Sequence, residues 1–361
     1  MNKDLRIVQL IDSLEAGGAE RMAVNYANTL SGVIGYSALV TTRKEGALKE
    51  QLSEQVGYLF LNKRGKIGLE AVWKFRAFLK KHHIDFIHAH STSFFTAVLV
   101  KMIYPKIKII WHDHYGNRIN QQGKSIVILK VVSNLFYGVL TVNEELEAWA
   151  KSNLKVRKIR YFPNFIVSKK SNVTSETVLK GEKEKRIVFL ANLKNPKNHL
   201  KVIQAFHKSE AKNLSWSLHL IGKDYNDSYS EEIKIYIDEY DLDSQIFIYD
   251  SCNDVEAILN QCTIGILGST YEGFPVTLLE YGKANLAVLS TNVGYCSSII
   301  SDSENGLLFD PKSITEITDK INSLVEHKTL RVKYADTLHA KVMSNYSDKA
   351  VIVQYLEWFG E

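Results

Sequence analysis

The sequence predicts an α/β protein made of two successive doubly wound, parallel-sheet domains. Three observations carry this. The chain has 361 residues, room for two domains at roughly 100–200 residues each. Short apolar runs alternate with helical patterns from end to end, as expected of strands joined by crossover helices. The alternation breaks over Val167–Lys185, where Ser, Thr, Asn, Lys and Glu replace the periodic apolar pattern, and then restarts.

In the first half, strands are predicted at Leu5–Ile11, Ser37–Thr41, Tyr58–Leu61, Asp85–Ala89, Lys108–Trp111, Gly138–Val142 and Lys158–Phe162. Helical patterns lie between them, for example at Glu20–Leu30 and Leu69–His82. After the linker the strands are Arg186–Leu190, Ser217–Ile221, Gln245–Ile248, Thr263–Leu267 and Ala287–Ser290. Helices at Ile314–Glu326, Thr329–Asn345 and Lys349–Phe359 close the chain. The last carries Val351, Val353, Tyr355, Leu356, Trp358 and Phe359 and is expected to pack back on the first domain. The predicted domains are therefore 1–164 with the closing helix 347–361, and 165–346, with Pro163–Lys185 as hinge. Ligands of such sheets bind outside the C-terminal strand ends, so the predicted site is a cleft between the two domains.

Composition narrows the class. Apolar residues are 45 % and charged residues 24 %, near soluble averages. The longest apolar stretch, Ile126–Leu140, is broken by Lys130, Ser133 and Asn134, short of the about 20 residues of a membrane span. Leu5–Ile11 is too short for a signal peptide and is followed by Asp12, so a cytoplasmic location is expected. Cys252, Cys262 and Cys296 are odd in number and form no Cys-x-x-Cys; they are read as reduced, buried thiols. Residues 1–164 carry 24 Lys and Arg against 13 Asp and Glu, whereas the rest is net acidic. A basic first half suits an anionic partner or is a solvated basic face. Its basic residues are not interleaved with aromatics on one face, so nucleic acid is not expected as a partner.

Three segments could carry chemistry. Gly17-Gly18 follows the first strand and opens a helix, where backbone can approach an anion; a plain tight turn is the alternative. The segment is not G-x-G-x-x-G, which argues against a nicotinamide dehydrogenase. After the strand Thr263–Leu267 comes Ser269-Thr-Tyr-Glu272-Gly273-Phe274-Pro275-Val-Thr277-Leu278-Leu279-Glu280. Gly273 would permit an unusual turn, Pro275 suits the first helical position, and the N–H groups beyond would form an anion site. Glu272 and Glu280 could both face one cleft and accept hydrogen bonds from sugar hydroxyls. The third segment, Trp111-His112-Asp113-His114, ends a strand; either histidine could serve catalysis, and the two with Asp113 could hold a metal only with a further ligand. His88 and His90 end another strand and are read as structural or site histidines.

Glu272 and Glu280, with seven residues between, resemble the E-x7-E motif of retaining glycosyltransferases of family four. Other segments fall in that family's order: Gly17-Gly18-Ala19-Glu20-Arg21, Asp85-Phe-Ile-His88-Ala-His90-Ser91, Phe162-Pro163-Asn164, Lys197-Asn198-His199 and Asn305-Gly306-Leu307-Leu308. The resemblance covers nearly the whole chain. It implies the GT-B fold, two Rossmann-like domains facing a cleft, and a metal-independent transferase without cofactor. The implied donor is a nucleotide-diphosphate sugar, with UDP as the expected base. The implied acceptor is a glycan or lipid-linked glycan of cell-surface polysaccharide assembly.

By the same resemblance Glu272 contacts donor-sugar hydroxyls and Glu280 the ribose. Phe274, Pro275, Thr277 and Leu278 present backbone to the diphosphate, with Gly273 in the same loop. Lys197 neutralises the diphosphate, Gly17 and Gly18 close against it, and His112 stands near the anomeric carbon. His114, His90 and Asn164 are further candidates. A lysine with a helix N-terminus can stabilise the leaving diphosphate in place of a metal, so no metal is expected. The basic first domain then faces the acceptor, with peripheral contact at the inner face of the membrane; Ile126–Val132 is read as a buried core helix or a membrane-facing one.

The chain departs from the family at three places. Asn192 stands where the family has Arg, with Lys194 as the nearby charge, and Lys does not reproduce bidentate phosphate binding. Ala284-Asn285-Leu286 replaces G-x-P, and Ser298 replaces a late acid. The changes at Asn192 and Ser298 support an alternative, a non-catalytic nucleotide-sugar or glycan-binding partner. A second alternative is a nucleotide-sugar epimerase of the same architecture, against which E-x7-E argues.

Overall fold

The computed structural model describes residues 4–15, 17–65, 67–115, 118, 124–168 and 177–360. The described chain divides into two compact units, Met1–Val167 with Asp348–Glu361, and Ser168–Ser347. The change of unit falls at 167/168, three residues beyond the 164/165 boundary drawn from the sequence. Part of the Val167–Lys185 linker lies outside the described residues.

In the first unit the order is β1 (Arg6–Ser13), α1 (Gly18–Ser31), β2 (Tyr36–Lys44), β3 (Gly57–Phe60), α2 (Leu69–Lys81), β4 (Phe86–His90), α3 (Phe94–Ile103), β5 (Lys108–Asp113), α4 (Lys124–Val132), β6 (Gly138–Thr141), α5 (Glu144–Asn153) and β7 (Lys158–Tyr161). The strands form a sheet in the order β3-β2-β1-β4-β5-β6-β7. Each pairing is parallel. Strands covered on both faces read as continuous apolar runs, and Ile7, Val8, Ile87, Ile109, Ile110 and Val139 are indeed fully buried. The order in which the chain adds strands across the sheet reverses between β1 and β4.

The second unit runs β8 (Arg186–Leu190), α6 (His199–Lys208), β9 (Ser217–Ile221), α7 (Ser228–Glu239), β10 (Ile246–Tyr249), α8 (Val255–Leu259), β11 (Ile264–Leu267), α9 (Val276–Lys283), β12 (Ala287–Thr291), α10 (Cys296–Ile299), β13 (Leu307–Phe309), α11 (Ile314–Glu326) and α12 (Lys328–Asn345). Its parallel sheet is ordered β10-β9-β8-β11-β12-β13 and switches between β8 and β11. Side-chain caps fix helix starts: Asp227 accepts from the Tyr229 and Ser230 N–H groups, and Ser313 from that of Glu316. Tyr281 of α9 is a buried pin. Its hydroxyl accepts from the Leu190 N–H at 2.8 Å and donates to the Ile266 carbonyl at 3.1 Å, joining α9 to β8 and β11.

The last helix, α13 (Asp348–Glu357), belongs to the first unit. Val351, Ile352, Tyr355 and Trp358 are buried there among Ile7, Met22, Tyr26, Phe86, Leu140, Phe162 and Phe165. Gly138 makes the seat: a Cβ at that position would overlap the Trp358 ring.

Three sequence expectations change. The Asn305–Leu308 turn leads into a strand, β13, too short to read as one. The helix expected over Ile126–Val132 buries Ile126 and Leu129, while Val127, Ile128 and Val131 are 61 %, 47 % and 65 % exposed. Of the cysteines, Cys296 is buried, whereas Cys252 and Cys262 are only partly so. No described helix is long and apolar enough to cross a membrane.

Candidate functional site

Each unit gathers its chemistry at the switch point of its sheet, outside the C-terminal strand ends, where ligands of doubly wound sheets bind.

In the second unit, the loops after β8 and β11 flank the switch. The first supplies Lys197 and the second Glu272. Lys197 Nζ lies 2.7 Å from Glu272 Oε1, and Ser269 Oγ donates to the same oxygen at 2.6 Å. Backbone geometry sets this meeting. Asn198 takes a left-handed conformation at φ 66°, and its amide donates to the Gly268 and Pro311 carbonyls at 3.0 and 2.9 Å. The Thr270 N–H reaches the Pro196 carbonyl at 2.8 Å, which ties the two loops together.

The glycine that the loop requires is Gly294, not Gly273. Gly294 has φ 52°, and a Cβ there would overlap the Glu272 carbonyl oxygen; Gly273 does not adopt a positive φ. Pro275 is the N-cap of α9, at φ −80° and ψ 92°, and Val276 is the first helical residue. Proline has no N–H, and the Leu278 N–H donates to the Pro275 carbonyl at 3.1 Å. The backbone donors at this helix start are therefore best sought at Val276 and Thr277, rather than at Pro275 and Leu278. Phe274 is buried and stacks on Tyr295, with ring centroids 5.1 Å apart. Glu280 lies one turn into α9 and is half-buried.

Asn192 does not take an arginine's place: its Oδ1 accepts the Lys223 N–H at 3.0 Å. Lys194 and Lys223 instead flank the exposed Tyr225 ring, at 5.6 and 5.2 Å from its centroid. Lys223 is thus a second cation at this edge, found only once β8 and β9 are paired. The sequence holds one Asp-x-Asp triplet, the spacing of a metal-binding carboxylate pair, at Asp241-Leu242-Asp243. It lies in the turn entering β10, at the opposite end of the strands, with Leu242 buried.

In the first unit, Gly17 is the extended N-cap of α1, with Gly18 the first helical residue. Glu20 folds its carboxylate back against Gly17, in the manner of a capping box. Asn164 is buried, and its Oδ1 has no hydrogen-bond partner among the described residues.

Register brings the histidines together. His90 of β4 pairs with His112 of β5. Because side chains two apart share a face, His88, His90, His112 and His114 form one array. His88 Nε2 lies 3.1 Å from His112 Nδ1, and His90 Nδ1 2.9 Å from His114 Nε2. The array is anchored at Gln9 Oε1, 2.8 Å from His90 Nε2, and at Tyr355 Oη, 3.1 Å from His88 Nδ1. His112 Nε2, His114 Nδ1 and the Tyr26 hydroxyl are buried without a partner among the described residues. Burial first, then the neighbouring imidazoles, holds His88, His90 and His112 well below the usual imidazole range, and burial takes His114 down to about 3. The array is neutral at physiological pH.

Ring nitrogens of His88, His90 and His112 lie within 4.8 Å of one another, close enough to suggest a metal. The ring planes point elsewhere. The His88 and His112 rings are 15° from coplanar, the His90 and His114 rings 21°, with centroids 5.2 Å apart in each pair. That spacing exceeds the nitrogen separations by about two ring radii, so each pair meets nitrogen to nitrogen in line. These are hydrogen bonds rather than lone pairs converging on one ion. Asp113 turns away from the array into Arg118, at 2.8 and 2.9 Å, so the His112–Asp113–His114 metal set does not form.

Comparison with known proteins gives the array its setting. Residues 16–169 match the family described as Glycosyltransferase Family 4, and residues 172–338 match Glycosyl transferases group 1. An N,N'-diacetylbacillosaminyl-diphospho-undecaprenol alpha-1,3-N-acetylgalactosaminyltransferase of Campylobacter jejuni is 23 % identical over 305 residues, covering 78 % of each chain. The capsular polysaccharide biosynthesis glycosyltransferase CapH of Staphylococcus aureus is 21 % identical over 342 residues, covering 90 % of this chain and 92 % of its own. The crystal structure of Anabaena HepE with UDP and glucose superposes with a TM-score of 0.82 at 16 % identity, covering 99 % of both chains. With two parallel-sheet units, a matched family over each, and this fold likeness, the chain belongs to the glycosyltransferases of the family-four type and has the GT-B fold.

Proposed function

We propose that the chain is a retaining, metal-independent glycosyltransferase that moves a hexosyl unit from a UDP-sugar to a glycan or lipid-linked acceptor of cell-surface polysaccharide. The observation that carries this is the Lys197–Glu272 pair at the switch point of the second unit, with Glu272 four residues before the start of α9. Breaking the sugar–phosphate bond develops charge on the departing diphosphate, and fixed donors aimed at that charge lower the barrier. Lys197 has three N–H donors. One serves Glu272, and the others are available to phosphate oxygens. The N–H groups that open α9 add partial positive charge. Glu272, held by Ser269 and Lys197, accepts from a hydroxyl of the donor sugar, and Glu280 from the ribose.

Neutral His112 supplies a hydrogen bond near the anomeric centre. In the retaining course favoured here the acceptor attacks from the face the diphosphate leaves, and a phosphate oxygen takes its proton, so no side-chain nucleophile is needed. HepE in its complexes with UDP and glucose supports UDP as base, and the undecaprenol-linked and capsular relatives support the acceptor class. The basic first unit and the exposed Val127, Ile128 and Val131 of α4 support contact with the inner, anionic membrane face.

The test is donor turnover in EDTA. UDP release from UDP-glucose, UDP-N-acetylglucosamine or UDP-N-acetylgalactosamine, with NMR of the product's anomeric proton, should show an α-linked product from an α-linked donor. An inverted product contradicts retention, and turnover that appears only on adding Mn²⁺ contradicts metal independence.

A further inference from the structure

We propose that Tyr355, on the helix that closes the chain, is a positioning residue for His112: acting through His88, it fixes His112 as the Nε2–H tautomer. This rests on the reading of His112 as the histidine that serves the sugar.

The argument follows the protons. Tyr355 is fully buried, and the acceptor that its hydroxyl meets is His88 Nδ1 at 3.1 Å. The Gln9 side chain also hydrogen-bonds Tyr355, and with its Oε1 taken by His90 it does so as a donor, which leaves the hydroxyl's own proton for His88. So Tyr355 donates. His88 Nδ1 is then an acceptor, which puts the His88 proton on Nε2, in line with His112 Nδ1 at 3.1 Å. His112 Nδ1 accepts, and its proton in turn sits on Nε2. That nitrogen is the buried one with no partner among the described residues. The line ends in an N–H donor awaiting an acceptor, as a hydrogen bond to one ring nitrogen decides what the other presents.

The second line has the opposite sense. His90 Nε2–H donates to Gln9 Oε1, so His90 Nδ1 accepts from His114 Nε2–H, and His114 Nδ1 is left with a lone pair. The His112 and His114 rings lie with centroids 4.0 Å apart. One neutral donor and one neutral acceptor therefore stand side by side, the complement of a hydroxyl, which donates and accepts. Two strands and a helix 267 positions distant in sequence hold the arrangement.

Tyr355→Phe keeps the ring, which packs edge-on to Phe359 and Phe162, and removes only the donor. The experiment is ¹⁵N-histidine NMR of the full chain, with the His112 signals assigned by their loss in His112→Gln. In the wild type, His112 should show a protonated Nε2 and a bare Nδ1; in Tyr355→Phe it should become a mixture of tautomers. Donor turnover should fall about tenfold in kcat with the donor KM unchanged, the pattern of an interaction felt at the transition state. A His112 proton on Nδ1 in the wild type overturns the proposal, as does a tautomer indifferent to Tyr355→Phe, or histidine signals displaced by stoichiometric Zn²⁺. If the NMR result holds but His112→Gln transfers sugar at the wild-type rate, the reading of His112 fails and the relay stands.

Discussion

Lowering the pH from 7.5 to 5.0 should strip stability from the protein well before its carboxylates protonate. Burial holds His114 and His199 down to about 3 and His219 to about 4. In the unfolded chain each titrates near 6.5. Because the folded values are lowered, the contribution is complete above about pH 6.5 and is lost as pH falls, since protons then bind the unfolded chain alone. At pH 5.0 each such histidine costs ~2 kcal/mol. The three together reach ~6 kcal/mol, against a typical domain stability of 5–15 kcal/mol. His88, His90 and His112 act in the same direction. Urea unfolding at the two pH values, followed by far-UV circular dichroism, reads this as a lower midpoint at pH 5.0. His199→Gln should reduce the pH-dependent part by ~2 kcal/mol. Equal or greater stability at pH 5.0 would refute the neutral buried array, and an unaltered pH dependence in His199→Gln would refute the assignment to that residue.

Further predictions follow from single contacts. Gly294→Ala forces a Cβ onto the Glu272 carbonyl at positive φ; such strain costs ~1–3 kcal/mol, and donor turnover should fall at least tenfold while circular dichroism stays native. Tyr281→Phe strands the part-buried Leu190 N–H, which should lower Tm by roughly 2–10 °C; an unchanged Tm contradicts the pin. Val131→Glu on the exposed face of α4 should reduce co-sedimentation with phosphatidylglycerol vesicles several-fold and leave soluble-donor hydrolysis intact; undiminished sedimentation moves the membrane contact elsewhere.

Much of the fold was legible because a strand covered on both faces must be apolar along its length. Arg186–Leu190 and Ser217–Ile221 coincide with β8 and β9, and Ile314–Glu326 with α11. β13 escaped because three residues, Leu307–Phe309, carry no periodicity. The motif residues Lys197 and Glu272 could be named from sequence, but their 2.7 Å meeting could not: it depends on two loops 75 residues apart flanking one switch point. Gly273 drew attention as the motif glycine, while the positive φ belongs to Gly294, which is distant in sequence and close only to a backbone carbonyl. The histidines were visible as two pairs on two strand ends. Their union into one array needs the parallel register of β4 with β5, and Tyr355 needs the return of α13 to the first unit. Spacing along a chain encodes neither.

The central claim is a donor site in the second unit that binds the diphosphate with Lys197 and no metal ion. Calorimetric titration of UDP in EDTA, with wild type and Lys197→Ala, tests it most directly. The account predicts binding by the wild type and a loss of about tenfold to a hundredfold in Lys197→Ala, the effect of one charge-assisted hydrogen bond of ~1.5–3 kcal/mol. Binding of equal affinity in both proteins, or binding by neither, would contradict it.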